Sequence, residues 1–143
     1  MSTNPSVPAG STERAHPDSF RARALSASLT VKDVRKSLAW YRDVAGFTVD
    51  QEHVREGTLR SVTLVAGSVR ILLNQDDGAK GANRVMGEGF SLMLTTAQSV
   101  DEVADRIKTR GGVLDSQPTD MPWGARIFRL KDPDGYKLVI SSG

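Results

Sequence analysis

The feature that most constrains this chain is an internal repeat, in which one order of strand and helix signals occurs twice. In the first copy, apolar residues alternate with hydroxyl residues from Leu25 to Val31, which predicts a strand with one apolar face. Asp33 can then cap a helix that runs to about Val44 and ends at Gly46. Three more strands are predicted at 47–53, 59–65 and 69–74.

The second copy begins about 66 residues later and follows the same order. A strand is predicted from Phe90 to Thr95, and Ser99 caps a helix that runs to about Arg110. A short strand opens at Val113, and two more are predicted at 125–130 and 136–140, with the turn Asp-Pro-Asp-Gly between them. The sequence therefore predicts an α+β fold of two tandem βαβββ modules, at about 25–75 and 89–141.

Residues 23–143 are expected to form one domain, because a single module cannot bury one face of its own sheet. Two paired modules would form a curved mixed sheet around a cleft that can hold a small ligand. Residues 1–22 are rich in Ser, Pro, Thr and Gly, which predicts a flexible N-terminal tail that contains His16.

Composition excludes several kinds of chemistry. The chain has no cysteine and two histidines, so thiolate nucleophiles, disulfides and cysteine-ligated metals are excluded. The net charge of +2 comes from interleaved acidic and basic residues, which does not favour nucleic-acid binding. No apolar run approaches the roughly 18 residues of a membrane span, and no secretory signal pattern is present, so a cytoplasmic protein is expected.

Several motifs resemble those of the vicinal oxygen chelate superfamily, the glyoxalase, bleomycin-resistance and extradiol-dioxygenase group. They are SLTVKDVRKSLAWYRDVAGF at 28–47, the Gly67 turn with the strand that follows, and PWGARIFRLKDPDGYKLVI at 122–140. The duplicated order of elements agrees with this resemblance. Since members of the superfamily differ in activity, the resemblance implies the fold more directly than the reaction.

Enzymes of this superfamily hold a metal through about four His or Glu side chains on the first and last strands of the modules. The corresponding positions of this chain are Ser26, the inward residues of the fourth strand, Ser91 or Phe90, and Val139. The inward residues of the fourth strand are Arg70, Leu72 and Asn74. Because serine is a poor ligand and valine has no donor atom, no metal and no other cofactor are expected.

The predicted cleft has a mixed lining of hydroxyl, amide, apolar and arginine side chains. The arginines can pair with a carboxylate or phosphate, and Trp123 in the Pro-Trp-Gly turn can stack on a flat ligand. The predicted lining is Ser26, Ser28, Thr30, Arg70, Leu72, Asn74, Ser91, Met93, Thr95, Trp123, Arg126, Phe128 and Val139.

Each of these residues also has a purely structural interpretation. Met93 and Phe128 can be core residues, and Trp123 can be a plug between strands. A strand register that slips by one residue would instead place Arg70 and Arg126 in surface ion pairs.

The expected function is metal-independent binding of a small molecule, similar to the bleomycin-resistance type, in a homodimer. No catalytic residue is identified, because His53 has no serine partner and no carboxylate is predicted inside the cleft. One alternative is a lyase, isomerase or dioxygenase of the same superfamily. Another is an interaction or regulatory subunit whose cleft is incidental.

Overall fold

A computed structural model describes residues 18–143 of the chain. His16 and most of the predicted tail at 1–22 lie outside these residues. The elements are β1 (Ala27–Val31), α1 (Val34–Asp43), β2 (Thr48–Arg55), β3 (Thr58–Ala66), β4 (Val69–Gln75), β5 (Ser91–Thr95), α2 (Val100–Thr109), β6 (Leu114–Asp120), β7 (Arg126–Lys131) and β8 (Lys137–Ser141).

The described strands form two four-stranded sheets with the same topology. The strand orders are β1-β4-β3-β2 and β5-β8-β7-β6, and the β1–β4 and β5–β8 pairs are parallel while the other pairs are antiparallel. A parallel pair needs a crossover connection, and each module has one helix between its first two strands. The predicted α+β fold of two βαβββ modules is confirmed.

Each helix starts where the sequence predicts. The Asp33 side chain accepts hydrogen bonds from the backbone N–H groups of Arg35 and Lys36 at 3.1 and 3.2 Å. Ser99 Oγ accepts from the backbone N–H of Glu102 at 3.3 Å. These contacts satisfy amide groups that have no partner within the helix. The buried stripes are Val34, Ser37, Leu38 and Tyr41 on α1, and Val100, Ala104 and Ile107 on α2.

One face of each sheet packs against its helix, and we call the opposite side the open face. In the first sheet, Leu29, Ile71 and Leu73 are buried in the main core. The residues between them in sequence therefore lie on the open face, because successive strand residues point to opposite sides. The open face of the first sheet contains Ser28, Thr30, Arg70, Leu72 and Asn74, and that of the second contains Ser91, Met93, Thr95, Ile127, Arg129 and Val139.

Most predicted strand boundaries differ from the observed ones by one or two residues, and three of the differences have a clear physical cause. Strand β1 begins at Ala27, because its register with β4 starts at the Ala27–Ile71 pair and Leu25 is 92% exposed. Val113 is 80% exposed and β6 runs on from Leu114 to Asp120 as an edge strand with irregular register. Tyr136 belongs to the turn before β8, because its backbone N–H is bonded to Asp132 Oδ1.

A buried hydrogen bond joins the modules. The Tyr41 hydroxyl on α1 donates to Asp132 Oδ2 at 2.7 Å, and Asp132 lies in the turn between β7 and β8. The other oxygen of this carboxylate accepts from the backbone N–H groups of Asp134 and Tyr136, both at 2.9 Å. Desolvation raises the pKa of Asp132, although the Tyr41 hydrogen bond acts in the opposite direction.

The same turn makes further contacts with the first module. Asp134 accepts hydrogen bonds from the backbone N–H of Lys32 at 3.1 Å and from Ser37 Oγ at 3.2 Å. The Tyr136 hydroxyl donates to the carbonyl oxygen of Thr30 at 2.7 Å. The turn between β7 and β8 therefore fixes the second module to β1 and α1 of the first.

No helix among residues 18–143 is long and apolar enough to cross a membrane.

We predict that Tyr41→Phe lowers the free energy of unfolding by about 1.5–3 kcal/mol at neutral pH, as expected for a lost hydrogen bond to a charged group. The raised pKa of Asp132 means that the folded state binds this proton more tightly than the unfolded state, so stability falls as pH rises through that pKa. Removing the Tyr41 donor raises the pKa further. In urea denaturation, the free energy of unfolding of Tyr41→Phe should therefore fall further below that of the unmodified chain at about pH 8 than at about pH 4, which is near the ordinary carboxyl pKa.

Tyr136→Phe is the matched control, because it removes a tyrosine hydroxyl that donates to a neutral carbonyl oxygen. We expect a loss of about 1 kcal/mol that is similar at both pH values. A Tyr41→Phe deficit with the same size at both pH values would contradict the assigned role of the carboxylate.

Candidate functional site

The open face of the first sheet is polar. Asn74 Nδ2 donates to Ser28 Oγ at 2.9 Å, which links the two strands at the edge of this face. Arg70 lies on the same face and forms an ion pair with Asp50 at 3.2 Å, with both side chains about half exposed. Leu72 is the apolar residue between them. Of the predicted residues in this module, only Ser26 lies outside the sheet, because it precedes β1.

The open face of the second sheet contains three of the predicted residues, Ser91, Met93 and Val139. Met93 pairs with Val139 across the parallel strands, and Val139 pairs with Arg129 across the antiparallel strands. Directly paired residues point to the same side, so these three side chains form one row. Met93 is 63% exposed and is therefore not a core residue, whereas Val139 is buried.

Phe128 is wrongly predicted to line the cleft. Its partner in β8 is Ile140, and both residues lie in the main core on the side of the sheet that faces the helix. Phe128 is fully buried there. The alternation of β7 therefore places Ile127 and Arg129 on the open face and Phe128 on the opposite one.

The cleft-facing orientation predicted for Arg126 is wrong for the same reason, because the predicted alternation of β7 is shifted by one residue. Its guanidinium Nε and Nη2 donate to both carboxylate oxygens of Asp101 at 2.9 and 3.0 Å, and Nη1 donates to Asp120 at 3.0 Å. Asp101 lies in the first turn of α2, so Arg126 faces the helix side. These hydrogen bonds lower the pKa of Asp101 and raise that of Arg126.

Sequence reasoning missed the basic residues of the second open face. A cavity of about 290 Å³ lies on this face. Its lining is Ser91, Asp115, Arg129, Leu130, Lys131, Lys137, Leu138 and Val139. The pairing of β7 with β8 on either side of their turn is the signal that could have identified these basic residues. Lys131 pairs with Lys137, so Arg129 pairs with Val139 and lies on the same face.

This cavity has an excess of positive charge. Lys131 Nζ forms an ion pair with Asp115 at 2.8 Å, which is the one carboxylate in the lining. Within residues 18–143, the side chains of Arg129 and Lys137 form no ion pair. Two cations therefore remain without a carboxylate partner above the apolar surface of Val139, which is suited to a small anion.

Trp123 lies in a tight turn between β6 and β7. The Met121 N–H donates to the Ala125 carbonyl at 2.7 Å, and the Gly124 N–H donates to the Met121 carbonyl at 2.9 Å. Gly124 has φ of +102°, which a side chain would strain, so glycine allows the predicted bend. Met121 packs against Ala125, Ile127 and Val139, while Trp123 is 71% exposed and does not plug the strands.

The residues present do not fit the metal centre that the resemblance implies. Ser91 and Val139 lie on the open face of the second sheet, and Arg70, Leu72 and Asn74 lie on that of the first. None of these side chains is a carboxylate or imidazole, and Arg70 would repel a cation. No group of three or more His, Asp or Glu residues within 18–143 is placed to hold a metal ion.

A larger groove, of about 800 Å³, lies between the modules and is lined by residues of both. We call it the intermodule groove. It is formed by residues 44–48 after α1, residues 65–69 around the turn between β3 and β4, residues 94–98 at the end of β5 and just beyond it, the α2 residues Val103, Arg106 and Ile107, and also Arg110 and Ile140. Of the predicted lining, only Thr95 contributes to it.

Comparisons with known proteins agree with this architecture. The chain is 25% identical over 120 residues to a probable lactoylglutathione lyase from Synechocystis sp., covering 81% of this chain and 92% of that protein. A superfamily member from Sphaerobacter thermophilus has a crystal structure with a TM-score of 0.64 and 28% identity, covering 83% of this chain and 97% of that one. TioX from Micromonospora sp. ML1 has the same fold, with a TM-score of 0.69 at 20% identity over 84% of this chain and 98% of that one.

The family model described as Glyoxalase/Bleomycin resistance protein/Dioxygenase superfamily matches residues 23–140. This match covers both modules, including β1, both helices and the turn between β7 and β8. The chain therefore belongs to the glyoxalase/bleomycin resistance protein/dioxygenase superfamily.

Proposed function

We propose that the protein binds a small anionic molecule on the open face of its second sheet, without a metal ion. The observation that carries this proposal is the cavity with three basic side chains, Arg129, Lys131 and Lys137, and one carboxylate, Asp115. A carboxylate or phosphate group would pair with Arg129 and Lys137 at this position. The cavity of about 290 Å³ is similar in size to the smaller known ligand sites.

The surroundings of the cavity favour a ligand with a flat apolar body. Val139 provides an apolar floor, and Met93 provides an exposed, polarizable side chain beside it. Trp123 is exposed in the turn that precedes β7, and its ring can stack on an aromatic group. Ser91 adds a hydroxyl that can donate or accept a hydrogen bond. The ligand class is therefore an aromatic or conjugated carboxylate, or a related phosphate.

Sequestration of a drug or metabolite is the role that fits these groups. Binding needs a complementary charge and an apolar surface, and both are present. Ser26, Ser91 and Val139 offer poor or no metal ligands at the positions that superfamily enzymes use, so we derive no metal-dependent step. The proposed cellular setting is the cytoplasm.

A homodimer is part of this proposal. Met93 and Trp123 are largely exposed in the single chain, and the first sheet leaves Ser28, Arg70 and Asn74 on an uncovered face. A second copy that covers these faces would enclose the ligand between the first sheet of one subunit and the second sheet of the other. The residues predicted from both modules would then line a single cleft.

The second candidate function is that of a lyase, isomerase or dioxygenase. It is favoured by the similarity to a probable lactoylglutathione lyase from Synechocystis sp.. A lactoylglutathione lyase assay with and without a chelator distinguishes the candidates. Turnover that the chelator abolishes would support the enzyme, whereas ligand binding that the chelator leaves unchanged supports sequestration.

We predict that Arg129→Gln weakens the binding of 1-naphthoate about tenfold, because about 1.4 kcal/mol corresponds to one order of magnitude and is close to the worth of one hydrogen bond to a charged group. Lys137→Gln should have a similar effect. Isothermal titration calorimetry of each variant measures the affinity.

Arg126→Gln is the matched control for this prediction. Arg126 lies on the same strand as Arg129, but its guanidinium binds Asp101 and Asp120 on the helix side. Its affinity for 1-naphthoate should equal that of the unmodified chain. Equal weakening in both arginine variants, or no saturable binding of 1-naphthoate at all, would exclude the second open face as the site.

We also predict that the protein sediments as a dimer at micromolar concentration and that Met93→Asp shifts it toward the monomer, because a buried unpaired carboxylate opposes association. Lys32→Asp, which introduces the same carboxylate at an exposed position next to α1 and makes a net-charge change of two units instead of one, is the control and should leave the mass unchanged. Analytical ultracentrifugation makes the comparison. A monomer at all concentrations would contradict the shared cleft.

A further inference from the structure

The intermodule groove results from a difference between the two module junctions. In the second module, residues 132–136 connect β7 and β8, since Lys131 pairs with Lys137. In the first module, only Gly67 and Ser68 connect β3 and β4, since Ala66 pairs with Val69. The longer turn reaches α1 through Asp132 and Asp134, and the shorter turn carries no carboxylate with which to reach α2.

The helices differ at the matching positions. Counted from the N-caps Asp33 and Ser99, Tyr41 on α1 corresponds to Ile107 on α2, and Ser37 corresponds to Val103. Tyr41 and Ser37 bind the longer turn through hydrogen bonds, whereas Ile107 and Val103 have apolar side chains that line the groove. The pseudo-equivalent junction therefore leaves an open space of about 800 Å³.

Two arginines are the charged residues in the lining of this groove. Arg106 and Arg110 lie one helical turn apart on α2 and at its C-terminal end, so their side chains project from the same side. Neither forms an ion pair within residues 18–143. By contrast, Lys108 on the same helix pairs with Asp105 at 3.6 Å and donates to Gln117 at 3.1 Å.

Asp43, the carboxylate whose pKa Arg110 influences, already has another arginine as its hydrogen-bond partner. The charge of Arg110 contributes to the lowered pKa of Asp43, but both Asp43 oxygens accept hydrogen bonds from Arg42 at 2.8 and 2.9 Å. The groove lining itself contains no Asp or Glu. Its electrostatic character is therefore positive at the α2 side, next to an apolar floor that includes Leu94, Ile107 and Ile140.

We propose that the intermodule groove is a second ligand site, which binds an amphipathic anion. The apolar chain of the ligand would lie against Val103, Ile107 and Phe47, and its carboxylate, phosphate or sulfonate would pair with Arg106 and Arg110. Thr95 at the end of β5 and Gln98 just beyond it line the groove and offer hydrogen-bond partners for additional polar groups. This site shares no basic residue with the cavity on the second open face.

Decanoate is the probe for this proposal. Isothermal titration calorimetry should show saturable binding by the full chain, and decyltrimethylammonium, which has the same apolar chain with a cation, should bind at least tenfold more weakly. The double variant Arg106→Gln/Arg110→Gln should reduce decanoate affinity at least tenfold. Both arginines are exposed, so these substitutions leave the core unchanged.

Two further variants separate this site from the open face. Ala97→Trp adds a large side chain at an exposed position in the groove lining and should weaken decanoate binding without any change in charge. Arg129→Gln/Lys137→Gln alters only the open-face cavity and should leave decanoate binding intact, whether or not that cavity binds 1-naphthoate. The two sites can therefore fail independently.

Changes in the NMR chemical shifts of backbone amides locate the decanoate site. Decanoate should shift the signals of Ala97, Val103 and Ile107 and leave those of Arg129 and Val139 in place. The proposal is overturned by unchanged affinity in the Arg106/Arg110 double variant, by shifts confined to the open face, or by the absence of saturable decanoate binding.

Discussion

The hydrogen bond between Tyr41 and Asp132 is the contact on which the relation between the modules depends. It joins a helix of the first module to a turn of the second at 2.7 Å, in a buried position. The carboxylate has no cationic partner in this contact and is stabilised by Tyr41 and two backbone N–H groups. Such a group is costly to bury unless each of its hydrogen bonds is made, so the turn and the helix hold each other in place.

This contact also explains the asymmetry of an otherwise duplicated structure. The two sheets have the same strand order, and the two helices have equivalent N-caps and buried stripes. At one junction, Asp132 and Asp134 fill the space between turn and helix. At the other junction, a two-residue connection faces Val103 and Ile107, and the space stays open. Duplication therefore fixes the fold, while the divergence of a few residues determines where cavities form.

Local patterns were sufficient to predict the fold. The alternation in β1, the caps at Asp33 and Ser99 and the recurrence of the whole order are encoded by neighbouring residues, and all three are confirmed. The Tyr41–Asp132 contact joins residues that are 91 positions apart, and no local pattern encodes it. The strand boundaries at Leu25 and Val113 failed for a similar reason, because strand pairing rather than periodicity ends a strand.

The sequence predicts the sheet face of a side chain correctly only in strands where apolar and polar residues alternate. Ser28, Asn74, Met93 and Val139 come from alternating segments and lie on the expected open faces. Strand β7 reads Arg-Ile-Phe-Arg-Leu-Lys, in which Ile127 and Phe128 are both apolar, so periodicity could not decide its inward face. Ile127 is covered by Met121 on one side and Phe128 by the core on the other. As a result, Arg126 was predicted in place of Arg129.

The fold is shared by proteins with different activities, so the functional claim depends on the side chains of the open faces. These combine Arg129 and Lys137, which form no ion pair within residues 18–143, with an apolar floor, and no group of three or more His, Asp or Glu residues in that range is placed to hold a metal ion. Native mass spectrometry of the protein purified without chelator tests this account most directly. The account predicts a metal-free protein that retains an anionic organic molecule, and one tightly bound metal ion per site would contradict it.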